Sequence, residues 1–158
     1  MPGRYRGLMQ WPDFAQRLGT VLARLAGDSQ LDATLILSQS AQPLAYVQFV
    51  VNPGGIYAEV SSAKRYLPKD LRLSDESVDT LTRAGWSRPG AADRKGNWVS
   101  EIHPATAEAC GQLAERCVTA LRDVWGVPEP ASLVYQAFHT DGEDLSAEDL
   151  GLPRDRSQ

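Results

Sequence analysis

Hydrophobic residues recur with helical spacing in two long segments of the chain. The first runs from about Trp11 to Leu25, where apolar residues three and four positions apart form one stripe. The second starts at Pro104 and ends before Gly126 and Pro128, residue types that are typical of helix termini. Its stripe consists of Cys110, Leu113, Ala114, Cys117, Val118, Leu121, Val124 and Trp125. Both segments are therefore predicted to be amphipathic helices.

A shorter helix is predicted between them, from Ser74 to Gly85. Ser74 is a favourable N-cap, and the acidic Asp75 and Glu76 in the first turn complement the positive end of the helix dipole. Gly85 followed by Trp86 is typical of a glycine C-cap with an apolar residue folding back onto the helix. Polar connections are predicted on either side, over Ala63–Leu73 and Ser87–Gly96.

Alternating apolar and polar positions, together with β-branched residues, predict five strands. They cover residues 33–38, the two arms of a hairpin over 44–60, residues 97–102 and residues 133–138. The hairpin reverses at Asn52-Pro53-Gly54-Gly55, where Pro53 presets φ and either glycine can adopt a positive φ. The predicted order is α-β-β-β-α-β-α-β, an α+β fold in which an antiparallel sheet packs with helices.

The predicted hairpin has two unlike faces, because successive strand residues point to opposite sides of a sheet. One face is apolar and is predicted to be core: Ala45, Val47, Phe49, Val51, Ile56, Ala58 and Val60. The other mixes aromatic, aliphatic, amide and carboxylate side chains: Tyr46, Gln48, Val50, Tyr57, Glu59 and Ser61, joined by Ile36 of the first strand. This mixture is typical of neither a core nor a solvated face.

The mixed face is predicted to contact a client or a partner subunit. Rings and aliphatic side chains would supply contact area, while the hydroxyls, Gln48 and Glu59 would bond the backbone of a bound segment. The residues assigned to this contact are Ile36, Tyr46, Gln48, Val50, Tyr57 and Glu59. The alternative is that the chain's own long helix or a second subunit covers the face, since most sheet faces in proteins are covered.

The chain of 158 residues suits one domain with a sizeable core, since 42% of its residues are hydrophobic. We expect an N-terminal extension over residues 1–10, a single domain over 11–138 and an acidic tail over 139–158. The tail contains six acidic residues against two arginines and is punctuated by Gly and Pro. With so little apolar content, it is expected to be mobile and dispensable for folding.

Charge and hydrophobic runs exclude two classes of partner. The net charge is −4, the acidic excess lies in the tail, and no stripe of Lys and Arg marks a nucleic-acid surface. No apolar run approaches the roughly 20 residues needed to cross a bilayer. The start of the chain has basic residues but lacks the apolar region of a signal peptide. A cytoplasmic protein without nucleic-acid or membrane partners is predicted.

Catalytic or metal-binding chemistry has weak support in the sequence. His103 precedes Pro104 and is expected to flank a helix rather than to join a Ser-His-Asp or Cys-His arrangement. The tail begins with four potential ligands, His139, Asp141, Glu143 and Asp144. Their spacing is not that of a calcium loop, the glycines of the hairpin turn precede no helix that would hold a phosphate, and nothing singles out a pair of catalytic carboxylates. No enzymatic activity, metal, cofactor or small-molecule substrate is therefore predicted.

The cysteines and two of the tryptophans are predicted to be structural. Cys110 and Cys117 lie seven residues apart on one helix face, which is too far for a disulfide within a straight helix. Both are expected to be buried free thiols. Trp86 and Trp98 are expected to anchor the core or a loop rather than to form a ligand platform.

Several short runs occur along the chain in a characteristic order. They are Tyr46-Val47-Gln48-Phe49, Ala58-Glu59-Val60, Tyr66-Leu67-Pro68, Ala84-Gly85-Trp86, Pro89, Asn97-Trp98, Leu121 to Val127 and Leu133-Val134-Tyr135-Gln136-Ala137-Phe138. On these runs the chain resembles, from about Trp11 to Phe138, the actinobacterial TY-chaperone domains of the superfamily that unites YbjN-like proteins with type III secretion chaperones. The resemblance implies a type III secretion chaperone-like α+β domain that forms a homodimer, lacks catalytic machinery and holds extended or unfolded segments of client proteins.

Two functions of different classes follow. The first is a non-enzymatic, chaperone-like module that holds an extended or unfolded segment of a client protein or peptide. The alternative is a dedicated immunity or regulatory protein that binds and neutralises one folded partner, for which the acidic tail would suit a basic target. Binding of isolated unfolded peptides would separate the two, because a chaperone captures an extended segment whereas a neutralising protein needs its folded partner.

Overall fold

The computed structural model describes residues 9–27, 32–61, 73–88, 97–142 and 145–155. Its helices and strands are α1 Trp11–Gly27, β1 Ala33–Gln39, β2 Gln42–Asn52, β3 Gly55–Val60, α2 Asp75–Ala84, β4 Trp98–Ile102, α3 Ala107–Val118 and β5 Leu133–His139. A π-helical segment, Thr119–Val124, continues α3, and 3-10 turns occupy Pro130–Ser132 and Glu148–Leu150. The predicted element order and the α+β fold are confirmed. Residues 1–8 of the expected extension, the run Tyr66-Leu67-Pro68 and Pro89 lie outside the described residues.

The five strands form one antiparallel sheet in the order β4-β3-β2-β1-β5. The first three strands are a meander, β4 joins beside β3, and β5 joins beside β1. The pairing of β1 with β5 runs from Ala33 opposite His139 to Gln39 opposite Leu133. The C-terminal part of the chain therefore lies at the β5 edge of the sheet.

The turn between β2 and β3 uses its two glycines for different reasons. Asn52 pairs with Gly55, so Pro53 and Gly54 form the two-residue connection. Gly54 has a φ of 78°, as a type II turn requires at the position after proline. A Cβ on Gly55 would lie 3.0 Å from Cδ2 of His103, whose ring therefore packs against the turn. The sequence predicted the turn correctly, and the structure places the positive φ at Gly54.

The core lies on one face of the sheet, beneath α1 and α3. The apolar stripes of both helices join the inner strand residues in a single hydrophobic core. The seven hairpin residues predicted to be core, Ala45, Val47, Phe49, Val51, Ile56, Ala58 and Val60, are each at most 2% exposed. Period-two alternation in the hairpin thus determines which face the helices cover.

The two covering helices approach each other closely at a pair of glycines. A Cβ added to Gly19 of α1 would lie 3.2 Å from the Cα of Gly111 of α3. That distance is shorter than nearly all ordinary Cβ contacts, so a side chain at Gly19 would push the helices apart. The glycine pair therefore sets how tightly α1 and α3 pack over the sheet.

The short helix α2 has the caps that its sequence predicts. The Ser77 amide donates to Oγ of Ser74 at 3.1 Å, and Gly85 adopts a φ of 107° at the C-terminus. Trp86 is 3% exposed, and its indole Nε1 donates to the carbonyl of Arg116 at 3.1 Å. Trp98 is likewise buried, at 4% exposure. The two tryptophans are core anchors, as predicted.

The long helix begins later than predicted. Its first residue is Ala107, because Thr106 is the N-cap and accepts a hydrogen bond from the Ala109 amide at 3.1 Å. Pro104 instead follows His103 through a cis peptide bond, in the connection that leaves β4. Threonine is a much stronger N-cap than the residues before it, which explains the shift. The predicted end is correct, since Gly126 has a φ of 68° beyond the π-helical segment.

The C-terminal residues differ most from the prediction. The sequence predicted a mobile tail over 139–158, yet residues 145–155, here called the C-terminal strap, pack against α1 and β5. Its buried side chains are Leu145, Ala147, Leu150 and Leu152, none more than 8% exposed. The prediction weighed the acidic composition of the tail and missed the spacing of its few apolar residues. Residues 143–144 and 156–158 lie outside the described part of the chain.

Candidate functional site

The six residues predicted to form a contact surface lie together on β1, β2 and β3. Gln48 stands opposite Ile36 on one side and opposite Glu59 on the other. In the next row, Val50 stands opposite Tyr57. Tyr46 lies two residues before Gln48 and so points to the same side. We call this side of the sheet, defined by Ile36, Tyr46, Gln48, Val50, Tyr57 and Glu59, the outer face.

The outer face lies opposite the two long helices. Its hydrophobic members are Ile36, Tyr46, Val50 and Tyr57, and all four are half-buried. None of them belongs to the core cluster that the described residues form. α1 and α3 bury their stripes on the other side of the sheet. The alternative that the chain's own long helix covers the mixed face is therefore wrong.

Glu59 is placed differently from its neighbours. It is only 4% exposed, and its Oε2 accepts a hydrogen bond from Nε2 of Gln48 at 3.2 Å. A carboxylate is costly to bury unless it is hydrogen-bonded, so this bond fixes the Gln48 amide on the outer face. The sequence-based expectation that Glu59 itself bonds a bound segment needs correction, because its carboxylate is not at the surface. Gln48 is a polar group that the outer face presents.

Tyr46, in the first half of β2, exchanges two hydrogen bonds with Ser61, which directly follows β3. The Tyr46 amide donates to Oγ of Ser61 at 2.9 Å, and the Ser61 amide donates to the Tyr46 carbonyl at 3.1 Å. Ser61 is 3% exposed. Both bonds hold the backbone that carries the Tyr46 ring, so the ring is positioned on an ordered strand.

The outer face extends further than the sequence predicted. In the Gln48 row, Gln136 of β5 stands opposite Ile36 and Val99 of β4 stands opposite Glu59. In the Val50 row, Phe138 of β5 stands opposite Thr34. These additions, together with Val134, are half-buried. Sequence reasoning missed them because pairing of β5 with β1 joins distant parts of the chain. The signal that could have found them is that β5 is apolar on both faces.

The two cysteines provide no reactive thiol. Cys110 and Cys117 are free and fully buried, as predicted. Burial raises the pKa of both thiols, because a thiolate loses its solvation in the core. They therefore act as small apolar residues of the α3 stripe.

The histidines lie apart from the outer-face residues identified above. His103 packs on the Gly54–Gly55 turn, and His139 is the last residue of β5. Within the described ranges, no three or more His, Cys, Asp or Glu side chains cluster as they would around a metal ion. Of the tail group predicted as potential ligands, Glu143 and Asp144 lie outside these ranges.

The sheet therefore has helices on one face and a half-buried mixed surface on the other. The chain belongs to the family TY-Chap3, described as T3SS (YopN, CesT) and YbjN peptide-binding chaperone 3, which matches residues 8–139. This confirms the resemblance to TY-chaperone domains. No curated protein and no solved structure matches the chain.

Membership of this family supports a chaperone-like role in peptide binding and points away from enzymatic activity. None of the helices in the described part of the chain is both long enough and apolar enough to cross a membrane.

Proposed function

We propose that this chain is a non-enzymatic module that holds an extended or unfolded segment of a client protein on the outer face of its sheet. The observation that carries the proposal is the set of half-buried aromatic, aliphatic and amide side chains on the side opposite α1 and α3, in a domain whose family is one of peptide-binding chaperones. A surface of this kind buries apolar side chains of varied sequence without demanding one geometry.

The rows of the outer face offer two kinds of contact. The row of Val50, Tyr57 and Phe138 supplies aliphatic and aromatic area, and burying one such side chain contributes about 1.5–3 kcal/mol. The row of Gln48 and Gln136 supplies amides that can donate to and accept from a peptide backbone. The apolar and amide rows lie two residues apart along the strands, about 6.7 Å, which suits an extended chain because its side chains on one side repeat at the same distance.

Two further features belong to the proposal. We propose that the chain forms a two-fold homodimer, the assembly that its resemblance to type III secretion chaperones implies. Light scattering should give twice the chain mass at micromolar concentration; a concentration-independent monomer mass would contradict it. We also propose a cytoplasmic location, which is supported by two cysteines that are free and buried.

The test is the double substitution Tyr46→Ser with Tyr57→Ser. The probe is fluorescently labelled α-lactalbumin that has been reduced and carboxymethylated, so that it stays unfolded. We expect binding to weaken by about 2 kcal/mol or more, roughly 30-fold, which is the scale of aromatic hot spots. The control is Asp79→Ser with Arg83→Ser on the exposed side of α2, which should bind like the parent.

A second variant separates the rings from their hydroxyls. Tyr46→Phe with Tyr57→Phe keeps the contact area and should retain most of the binding. Circular dichroism melts of all variants show whether the fold is intact. A serine variant that is folded and binds like the parent would overturn the proposal, and one that unfolds would show that these rings support the fold instead.

The alternative of a neutralising protein has lost part of its basis. That alternative assumed a free acidic tail that attracts a basic target. In the structure, Asp149 of the strap already pairs with Arg24 of α1 at 2.9 Å. The same probe separates the two functions. A neutralising protein would ignore unfolded α-lactalbumin, whereas the proposed chaperone-like module binds it and binds the native, folded form much more weakly.

A further inference from the structure

The strap runs along the free edge of β5, on the side away from β1, and pairs with the β5 backbone. The Tyr135 amide donates to the Pro153 carbonyl at 3.1 Å, and the Asp155 amide donates to the Tyr135 carbonyl at 2.8 Å. Tyr135 and Arg154 accordingly form a parallel bridge. The Leu145 amide reaches the Ala137 carbonyl at 3.4 Å. The strap thus satisfies edge groups that a sheet would otherwise leave unpaired.

Apolar side chains seat the strap between β5 and α1. Leu145, Ala147, Leu150 and Leu152 all join the main core cluster. Gly151 has a φ of 77°, and an added Cβ would meet the flexible ends of two long side chains, at 2.8 Å from Nη1 of Arg17 on α1 and 2.9 Å from Cε of Met9. The strap therefore fits a shaped groove rather than lying loosely on the surface.

Two arginines fix the strap at its polar positions. Arg24 of α1 contacts both carboxylate oxygens of Asp149, at 2.9 and 3.3 Å, and donates to the Ser146 carbonyl at 3.2 Å. Arg154 of the strap donates to the Ala137 carbonyl at 2.7 Å, and its guanidinium carbon lies 5.7 Å from the centre of the Tyr135 ring. Backbone pairing, seated apolar side chains and charged anchors are the contacts by which sheet edges bind peptides.

The strap lies outside the part of the chain that the family shares. The family match ends at residue 139, where β5 also ends. This chain therefore adds a peptide-like segment to a peptide-binding domain and docks it on that domain's sheet edge. Ordering the segment costs conformational entropy that offsets much of the gain from its four seated side chains. Such a segment can open locally while the rest of the fold stays intact.

We propose that the groove between α1 and the β5 edge is a second peptide site, which the strap occupies as a built-in competitor. The ligand that fits it is an extended segment of another protein with apolar residues at the spacing of Leu145, Ala147, Leu150 and Leu152. It would also carry a carboxylate for Arg24 and an arginine at the position of Arg154. The inference goes beyond the proposed function, because the groove lies at the β5 edge, whereas the outer face lies on the side of the sheet opposite α1 and α3. The two surfaces meet at Gln136, whose Nε2 donates to Oδ2 of Asp155 in the strap at 3.5 Å.

The test uses a labelled synthetic peptide of residues 143–158 and the full-length chain. Peptide binding to the parent should be weak, since the tethered strap competes with it. Weakening the strap within the chain should strengthen binding: at least about tenfold for Leu150→Ala and about threefold for Asp149→Asn, the scales expected for a buried leucine and an exposed ion pair. Asp79→Asn, which breaks an exposed ion pair with Arg83 on α2, is the matched control and should leave binding unchanged.

Hydrogen exchange gives a second readout that does not depend on the leucine variant folding. Saturating peptide should reduce the protection of the strap's own Leu145 and Asp155 amides in the parent, because the strap has been displaced. Peptide binding that is absent or equal in all full-length chains, or strap amides that stay protected at saturation, would overturn the proposal. Tyr46→Ser with Tyr57→Ser should leave this exchange unchanged, so failure of the outer face is distinguishable from failure of the groove.

Discussion

The two faces of one hairpin differ in what their residues do. On the inner face, every residue from Val47 to Val60 that points toward α1 and α3 is almost completely buried. On the outer face, the intervening residues are mixed in character and mostly half-buried. Since both sets alternate along the same two strands, the backbone imposes no difference between them. The inner face specifies the fold, whereas the outer face is the surface that we propose binds a client.

The largest expected effect tests the inner face. Phe49→Ala should lower the free energy of unfolding by about 3–5 kcal/mol, because it removes a fully buried ring and leaves a cavity. Urea denaturation followed by circular dichroism measures it. The control is Phe138→Ala on the outer face, which should cost less than half as much. Equal losses would mean that the outer face is also core, and the comparison would fail.

Removing residues 145–158 tests how much the strap contributes to the stability of the fold. The deletion exposes the β5 edge and the part of α1 that Leu150 covers, so we expect a loss on the order of 2–3 kcal/mol. At roughly 2–4 °C per kcal/mol, the melting temperature should fall by several degrees. A melting temperature equal to that of the parent would instead support the prediction from composition, in which the tail is mobile and dispensable for folding.

Gln48→Leu tests the polar pair of the outer face. The substitution removes a donor to Glu59 in a buried setting, which should cost about 1–2 kcal/mol of stability. Adding Glu59→Leu should recover most of that loss, since no buried carboxylate then remains, while binding of unfolded α-lactalbumin stays impaired. If the double variant is as unstable as the single one, Gln48 and Glu59 stabilise the fold by more than satisfying each other's polar groups, which would contradict this prediction.

The smallest expected effect concerns pH and the thiols beneath the inner face. Burial raises the folded-state pKa of Cys117 above its ordinary value of 9.0, so the unfolded chain releases this proton first as pH rises. Stability from the protonated thiol is fully present below pH 9 and declines above it, by at most about 1.4 kcal/mol per pH unit. The difference in unfolding free energy between parent and Cys117→Ala should narrow from pH 8 to pH 10. A constant difference would contradict the burial effect.

Local rules account for what the sequence could predict. Alternation and the Pro53-Gly54 turn assigned all seven inner hairpin residues correctly, because a two-residue turn fixes the register and period two fixes the face. The caps of α2 followed from Ser74 and Gly85 for the same reason: both act within a few residues of themselves.

Contacts between distant segments account for what the sequence could not predict. Phe138 and Gln136 reach the outer face only because β5 pairs with β1, about a hundred residues earlier in the chain. Leu150 is apolar in an acidic stretch, and only the groove that α1 and β5 form reveals where it is buried. The buried Glu59 likewise has its hydrogen-bonding partner, Gln48, on another strand, eleven residues earlier in the chain.

Site-specific photo-cross-linking tests most directly whether a client segment lies on the outer face. p-Benzoylphenylalanine would replace Val50 in one full-length chain and Arg83, on the exposed side of α2, in another. After irradiation with reduced, carboxymethylated α-lactalbumin, the chain with the probe at Val50 should form a covalent adduct that mass spectrometry maps to that position, and the chain with the probe at Arg83 should form little. Equal cross-linking from both positions, or cross-linking from Arg83 alone, would contradict the account.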